Sequence, residues 1–190
     1  MADKNKVLFG FSEFHIGTYT VDSDGTVTMG TPYHQKGAVG FSPETQAEKY
    51  DFYADNEAYF STYNGGKKQG DLEVAKFDDD FKTKFLGYKR SANGGLAEVK
   101  NPDKPNVYVA FQVEGDKGGL RVIMYNGTLG PINRSYSTTE DGKEVKTETI
   151  PTTFIGAANG MITDTYYPDD AGYDTLFTNP PKPNFAEESE

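Results

Sequence analysis

The sequence predicts a mainly β protein, with two antiparallel sheets forming a sandwich or barrel and one short α-helix on a flank. Three observations carry this. The 190 residues hold 13 Tyr, 13 Phe and 21 Gly, a composition suited to pleated, half-buried strands and tight turns. Apolar residues alternate with a period of two along several segments. One stretch alone repeats its apolar residues at helical spacing, and it is too short to be stable unless it packs on a sheet.

The strands follow in order. Phe14, Ile16, Thr18 and Thr20 fall on one face, with His15, Gly17, Tyr19 and Val21 opposite, and Asp24-Gly25 then makes a hairpin turn. Val107, Val109, Phe111 and Val113 alternate with Tyr108, Ala110, Gln112 and Glu114, the clearest half-buried strand of the chain. Leu120, Val122 and Met124 alternate with Arg121, Ile123 and Tyr125. Between these two runs, Gly115-Asp116-Lys117-Gly118-Gly119 supplies a connection that tolerates positive φ. Asp141-Gly142 is a further hairpin turn, and glycine pairs at 65–66 and 94–95 break the middle of the chain.

The helix is expected over residues 78–87. Phe77, Phe81 and Phe85 recur at i, i+4 and i+8, joined by Leu86, and make one apolar stripe. Asp78, Asp79 and Asp80 supply an N-cap and favour the positive helix end. Asp78 with Lys82, and Asp80 with Lys84, are spaced as i, i+4 pairs. Gly87 fits the position that ends the helix.

The expected organisation is a flexible N-terminal segment at 1–6, one β-rich domain at 7–177 and a Pro-rich, acidic arm at 178–190. Asn179-Pro180-Pro181-Lys182-Pro183-Asn184 favours extended backbone, and Ala186-Glu187-Glu188-Ser189-Glu190 offers nothing to bury. A chain of this length suits one domain, burying about 70% of its unfolded surface. No run approaches the roughly 20 apolar residues of a membrane span, and Val7-Leu8-Phe9 is too short for a signal-peptide core. A cytosolic site of synthesis is therefore expected. Cysteine is absent, which removes disulfides and thiolate chemistry.

The formal charge is −10, and residues 164–190 carry −6 of it, with Lys182 as their one base. Such a surface lacks the counterion release that drives stable nucleic-acid binding, though DNA can slide past it.

Candidate chemistry is sparse. His15 lies on the same strand face as Glu13, half a metal site at best, and a surface polar pair is the simpler reading. His34, after Pro32-Tyr33, is expected in a loop. Asp22-Ser23-Asp24-Gly25 opens like a calcium loop, but the twelfth position is Tyr33 instead of Glu, so a hairpin turn accounts for it. Asp78-Asp79-Asp80 is better explained by capping than by a cation. Gly65-Gly66-Lys67-Lys68 lacks the spacing and hydroxyl of a phosphate loop, and no Gly-x-Ser-x-Gly elbow supports a hydrolase. No catalytic, cofactor or metal residue is therefore assigned, and no enzyme activity is expected.

Aromatics remain. Tyr50, Phe52, Tyr53, Tyr59, Phe60 and Tyr63 crowd into fourteen positions. A sugar- or base-stacking platform is one reading. Core packing on one strand face with subunit contact on the other is favoured, since Trp is absent and no basic residues interleave beyond Lys67-Lys68.

A fixed order of pieces runs through the chain: Gly30-Thr31-Pro32 then Gly37-Ala38-Val39; Phe52-Tyr53-Ala54-Asp55-Asn56; the polar loop Asn64-Gly65-Gly66-Lys67-Lys68-Gln69; the strand-like Gly70-Asp71-Leu72-Glu73-Val74-Ala75; the Asp78–Gly87 helix; Phe111-Gln112-Val113-Glu114-Gly115-Asp116 with Arg121 and Tyr125-Asn126; and a Thr-rich stretch at 144–153. Over about residues 7–160 this resembles the major tail protein family of long-tailed siphophages that infect Gram-positive hosts. Lys67-Lys68-Gln69 stands where the family often has an aromatic, and the appended immunoglobulin-like domain of some members is not seen. The resemblance implies the phage tail-tube fold and a structural virion subunit, assembled in the host bacterial cytoplasm. Its copies would stack as hexameric rings around a tape-measure protein, meet tail terminator and distal tail proteins, and leave a channel for DNA ejection, with no membrane partner. It also implies that loop 61–70, a hairpin tip at 138–146 and the C-terminal arm order on assembly. The alternative is a carbohydrate-binding β-sandwich that recognises a receptor.

Overall fold

A computed structural model describes residues 5–63, 65–136 and 145–186. The strands in chain order are β1 (Leu8–Val21), β2 (Val27–Met29), β3 (Tyr33–His34), β4 (Ala38–Phe41), β5 (Glu44–Gln46), β6 (Lys49–Ala54), β7 (Glu57–Tyr63) and β8 (Lys67–Val74). Helix α1 (Asp79–Leu86) follows, then β9 (Lys89–Arg90), β10 (Leu96–Ala97), β11 (Val107–Gly115), β12 (Leu120–Leu129), β13 (Glu148–Phe154) and β14 (Thr163–Tyr166). The protein is mainly β with one helix among the described residues, as expected. Ten strands join in one continuous antiparallel sheet with the path β2-β1-β11-β12-β13-β8-β4, and the hairpins β9–β10 and β6–β7 stand apart from it.

The sheet curls. Phe41, on β4 at one end of the path, reaches Phe14 of β1 near the other, with ring centroids 6.2 Å apart. The two faces of each central strand then serve two cores, which is why the alternation in the sequence is so regular. Phe14, Ile16, Val107, Val109, Leu72 and Ile150 point into the main core. Tyr19, Tyr108, Ala110, Ile123 and Tyr125 point into the second, where Leu176 and Met161 from the C-terminal third cover them. Gly17 of β1 lies against the Tyr108 ring, which occupies the space a Cβ would need.

Helix α1 closes the main core. Asp78 is its N-cap, accepting from the Phe81 amide at 2.7 Å, and Gly87 ends it in the left-handed region at φ 69°. Phe77, Phe81 and Phe85 are buried and stack along the stripe with centroids 4.7 and 5.3 Å apart. Each such ring contributes about 1.5–3 kcal/mol on burial, far more than propensity gives a helix of this length. One expectation fails here. Lys82 does not pair with Asp78 on an exposed face; it is buried, and its Nζ lies 3.8 Å from Glu148 of β13. Glu148 also accepts from the Phe77 amide at 2.7 Å and from Arg134 Nε at 2.6 Å.

The turns behave as their residues dictate. Gly25 has φ 84° in the β1–β2 turn, where Asp24 accepts from the Thr26 amide at 2.9 Å. That bond holds the Asp24 carboxyl below its ordinary pKa, so the aspartates that open like a calcium loop are turn residues. The Asp141-Gly142 turn lies outside the described residues. Near the chain ends, Asn5 donates to Gly118 O at 2.9 Å and the Lys6 amide donates to Asp116 at 2.8 Å. Pro180 is buried, and the Tyr125 hydroxyl donates to Pro181 O at 3.1 Å.

Candidate assembly surface

The aromatic-rich stretch folds as the hairpin β6–β7. Its turn residues Asp55 and Asn56 both take positive φ, 52° and 68°, the pattern of a two-residue type I′ turn whose twist matches the strands it joins. Tyr50 opposes Thr62 and Phe52 opposes Phe60, while on the other face Asp51 opposes Ser61 and Lys49 opposes Tyr63. Between the Phe52–Phe60 and Tyr53–Ala58 pairs the register slips by one, leaving Tyr59 as an extra residue. Such a bulge bends and twists the ribbon. Ser61 Oγ donates to Asp51 at 2.6 Å and Lys49 pairs with Asp51 at 3.0 Å. These two, the serine bond foremost, keep the Asp51 carboxyl below its ordinary pKa.

Neither face of this hairpin enters a core, which corrects the expectation of core packing on one face. Tyr50, Phe52, Tyr53, Tyr59, Phe60 and Tyr63 are between 50% and 78% exposed. Fully exposed, each ring presents roughly 150–250 Å², so the six together offer roughly 700 Å² across the two faces of a two-stranded ribbon. A soluble monomer seldom exposes an apolar patch above a few hundred Å², and an isolated two-stranded hairpin is marginal in water.

The polar loop expected at 61–70 is mostly strand. Residues 61–63 belong to β7, and 67–70 begin β8, which is flanked by β13 on one edge and by β4 and β5 on the other. A deletion of 61–70 would therefore break the sheet. Lys68 is occupied by Thr45 Oγ1 at 3.1 Å. Of the expected hairpin tip at 138–146, residues 138–144 lie outside the described residues.

The histidines are where strand pairing changes the picture. His34 is not in a loop: it pairs with His15 across β3 and β1, and the two rings stack with centroids 4.5 Å apart. Glu13 lies in the irregular stretch between Ser12 and His15 at φ 51°. Its carboxylate is 3.9 Å from His34 Nε2, while its carbonyl accepts from His15 Nδ1–H at 2.8 Å. His15 is buried rather than a surface residue, and burial holds its pKa below 6.5. On its other side Phe177 stacks at 4.5 Å, and Arg121 lies over both Phe177 and Tyr173. Only the Glu13–His15 half of this cluster was legible in the sequence, because His34 joins it through the pairing of β3 with β1. Asp78 is spent on the helix cap and Asp79 on Arg90 at 3.3 Å.

Comparisons with known proteins agree with the architecture. Residues 2–118 match the model of a family described as phage tail tube protein. Among solved structures, the anti-feeding prophage tube-terminating cap is similar at 10% identity and a TM-score of 0.49, over 87% of this chain and 97% of that one. A chain of the sheath–tube complex of the PVC extracellular contractile injection system is similar at 7% identity and a TM-score of 0.47, over 83% and 90%. At scores below 0.5 these likenesses add nothing to the assignment. No curated protein sequence matches the chain. With more than half its length under the family model, and a large curled antiparallel sheet with one helix beneath it, the chain belongs to the phage tail tube protein family.

Proposed function

We propose that this protein is the major tail tube subunit of a long-tailed siphophage of a Gram-positive host. Its copies join as hexameric rings that stack around a tape-measure protein, capped by terminator and distal tail proteins, and leave a channel through which DNA passes. Assembly takes place in the host cytoplasm, and the role resides in shape and self-contact, with no reaction catalysed.

The observation that supports this most is the exposed aromatic hairpin β6–β7. A standard protein interface buries about 800 Å² on each partner, so roughly 700 Å² of aromatic surface divided between two faces supplies a large apolar share of a contact on each. A ring needs a heterologous contact that closes, and stacking needs a second contact that does not. A ribbon with aromatics on both faces, and with both edges unpaired among the described residues, can serve such contacts, by side-chain burial and by strand addition. The net charge of −10 suits a conduit, since phosphates are repelled and passing DNA is not held.

Electron microscopy of the concentrated protein, beside a Tyr59→Ser/Phe60→Ser variant, tests the proposal. Rings or tubes with a central hole are expected from the parent, and dispersed monomers with an unchanged melting temperature from the variant. Tubes that persist in the variant would remove the hairpin from the interface. A parent that stays monomeric with its tail partners, or is retained on glycan columns, would overturn the tube reading.

A further inference from the structure

We propose that Glu13, His15 and His34 form a binding site for a divalent transition-metal ion of the zinc type. This is independent of the tube reading, since the three residues lie on β1 and β3 and none belongs to the hairpin β6–β7.

The geometry carries it. One ligand atom from each of the three residues lies within 4.8 Å of the other two. The Glu13 carboxylate and His34 Nε2, 3.9 Å apart, are too far for a hydrogen bond and close to the span of two bonds to one ion. Zinc bonds of about 2.0–2.1 Å set tetrahedral donors about 3.3 Å apart. Closing the set from 4.8 Å takes about 1.5 Å and a turn of the His34 ring out of its stack with His15, since an imidazole lone pair lies in the ring plane. The exposed side chains of Glu13 and His34 have room for both movements.

The fixed member is already prepared. His15 is held by its ring stack with Phe177 and by the bond to Glu13 O. A carbonyl only accepts, so Nδ1 carries the proton and Nε2 keeps its lone pair. A histidine whose second nitrogen donates to a backbone carbonyl is the usual arrangement behind a metal ligand. Two imidazoles and one carboxylate make a borderline nitrogen–oxygen donor set that suits zinc over calcium or magnesium. Exposed Glu13 and His34 give the ion its entry path, and water completes the coordination.

The test uses the untagged full chain, stripped with a chelator and titrated with Zn²⁺ by calorimetry, with thermal melts alongside. The parent should saturate at one equivalent and gain melting temperature with zinc. Changes to outer-shell partners alone cost about 10–100-fold in affinity, so His34→Ala should weaken binding by at least about tenfold. Glu13→Gln, which keeps the side-chain shape, should also weaken it and serves as the second variant should His34→Ala misfold. Zinc should shift the ring resonances of His15 and His34 together. No saturable binding by the parent, or binding unchanged in both variants, would overturn the site and place any bound zinc on the acidic surface.

Discussion

Lys82 of the helix and Glu148 of β13 face each other 3.8 Å apart, both nearly excluded from solvent. Because Glu148 also accepts from the Phe77 amide and from Arg134, it joins the helix start, the helix body and the sheet. Glu148→Ala would strand a buried ammonium and an amide without an acceptor. The expected loss is about 3–5 kcal/mol of unfolding free energy, the range for removing one partner of a buried pair. Urea denaturation checks it, and a loss below about 1 kcal/mol would mean the pair behaves as a surface one.

Alkaline pH should unfold the protein through its buried and half-buried tyrosines. Burial raises the pKa of Tyr108 and Tyr19, and that of Tyr33, Tyr125 and Tyr166, which charged neighbours push in the same direction. An acid whose folded pKa is raised keeps its proton in the native state at pH values where the unfolded chain releases it. Stability from these groups is therefore complete below the unfolded pKa of 10.0 and falls as pH rises beyond it. Phenolate absorbance followed against pH should show these five tyrosines ionising together with loss of the native circular dichroism signal.

Truncation after Thr178 should destabilise the second core. It removes buried Pro180 and the Pro181 carbonyl that accepts from Tyr125. The expected cost is about 1–3 kcal/mol, the penalty for a buried polar group that loses its partner. A melting temperature equal to that of the full chain would show that residues 179–190 serve only outside the fold, as an arm.

Much of this protein was determined by its sequence alone. The period-two runs at 14–20, 107–113 and 120–125 became β1, β11 and β12, because residues two apart share a sheet face whatever the strand pairs with. The helix and both its caps were legible for the same reason: capping, like the phenylalanine stripe, is a matter of neighbours within one or two turns. What the tertiary structure decided is non-local. It placed β8 between β13 and β4, turned Lys82 from an exposed face toward Glu148, and left the aromatics of β6–β7 outside both cores. It also brought His34 across to Glu13 and His15. Each of these depends on which strands meet and how the sheet curls, a choice made by the closing of long chain loops that no short stretch of sequence encodes.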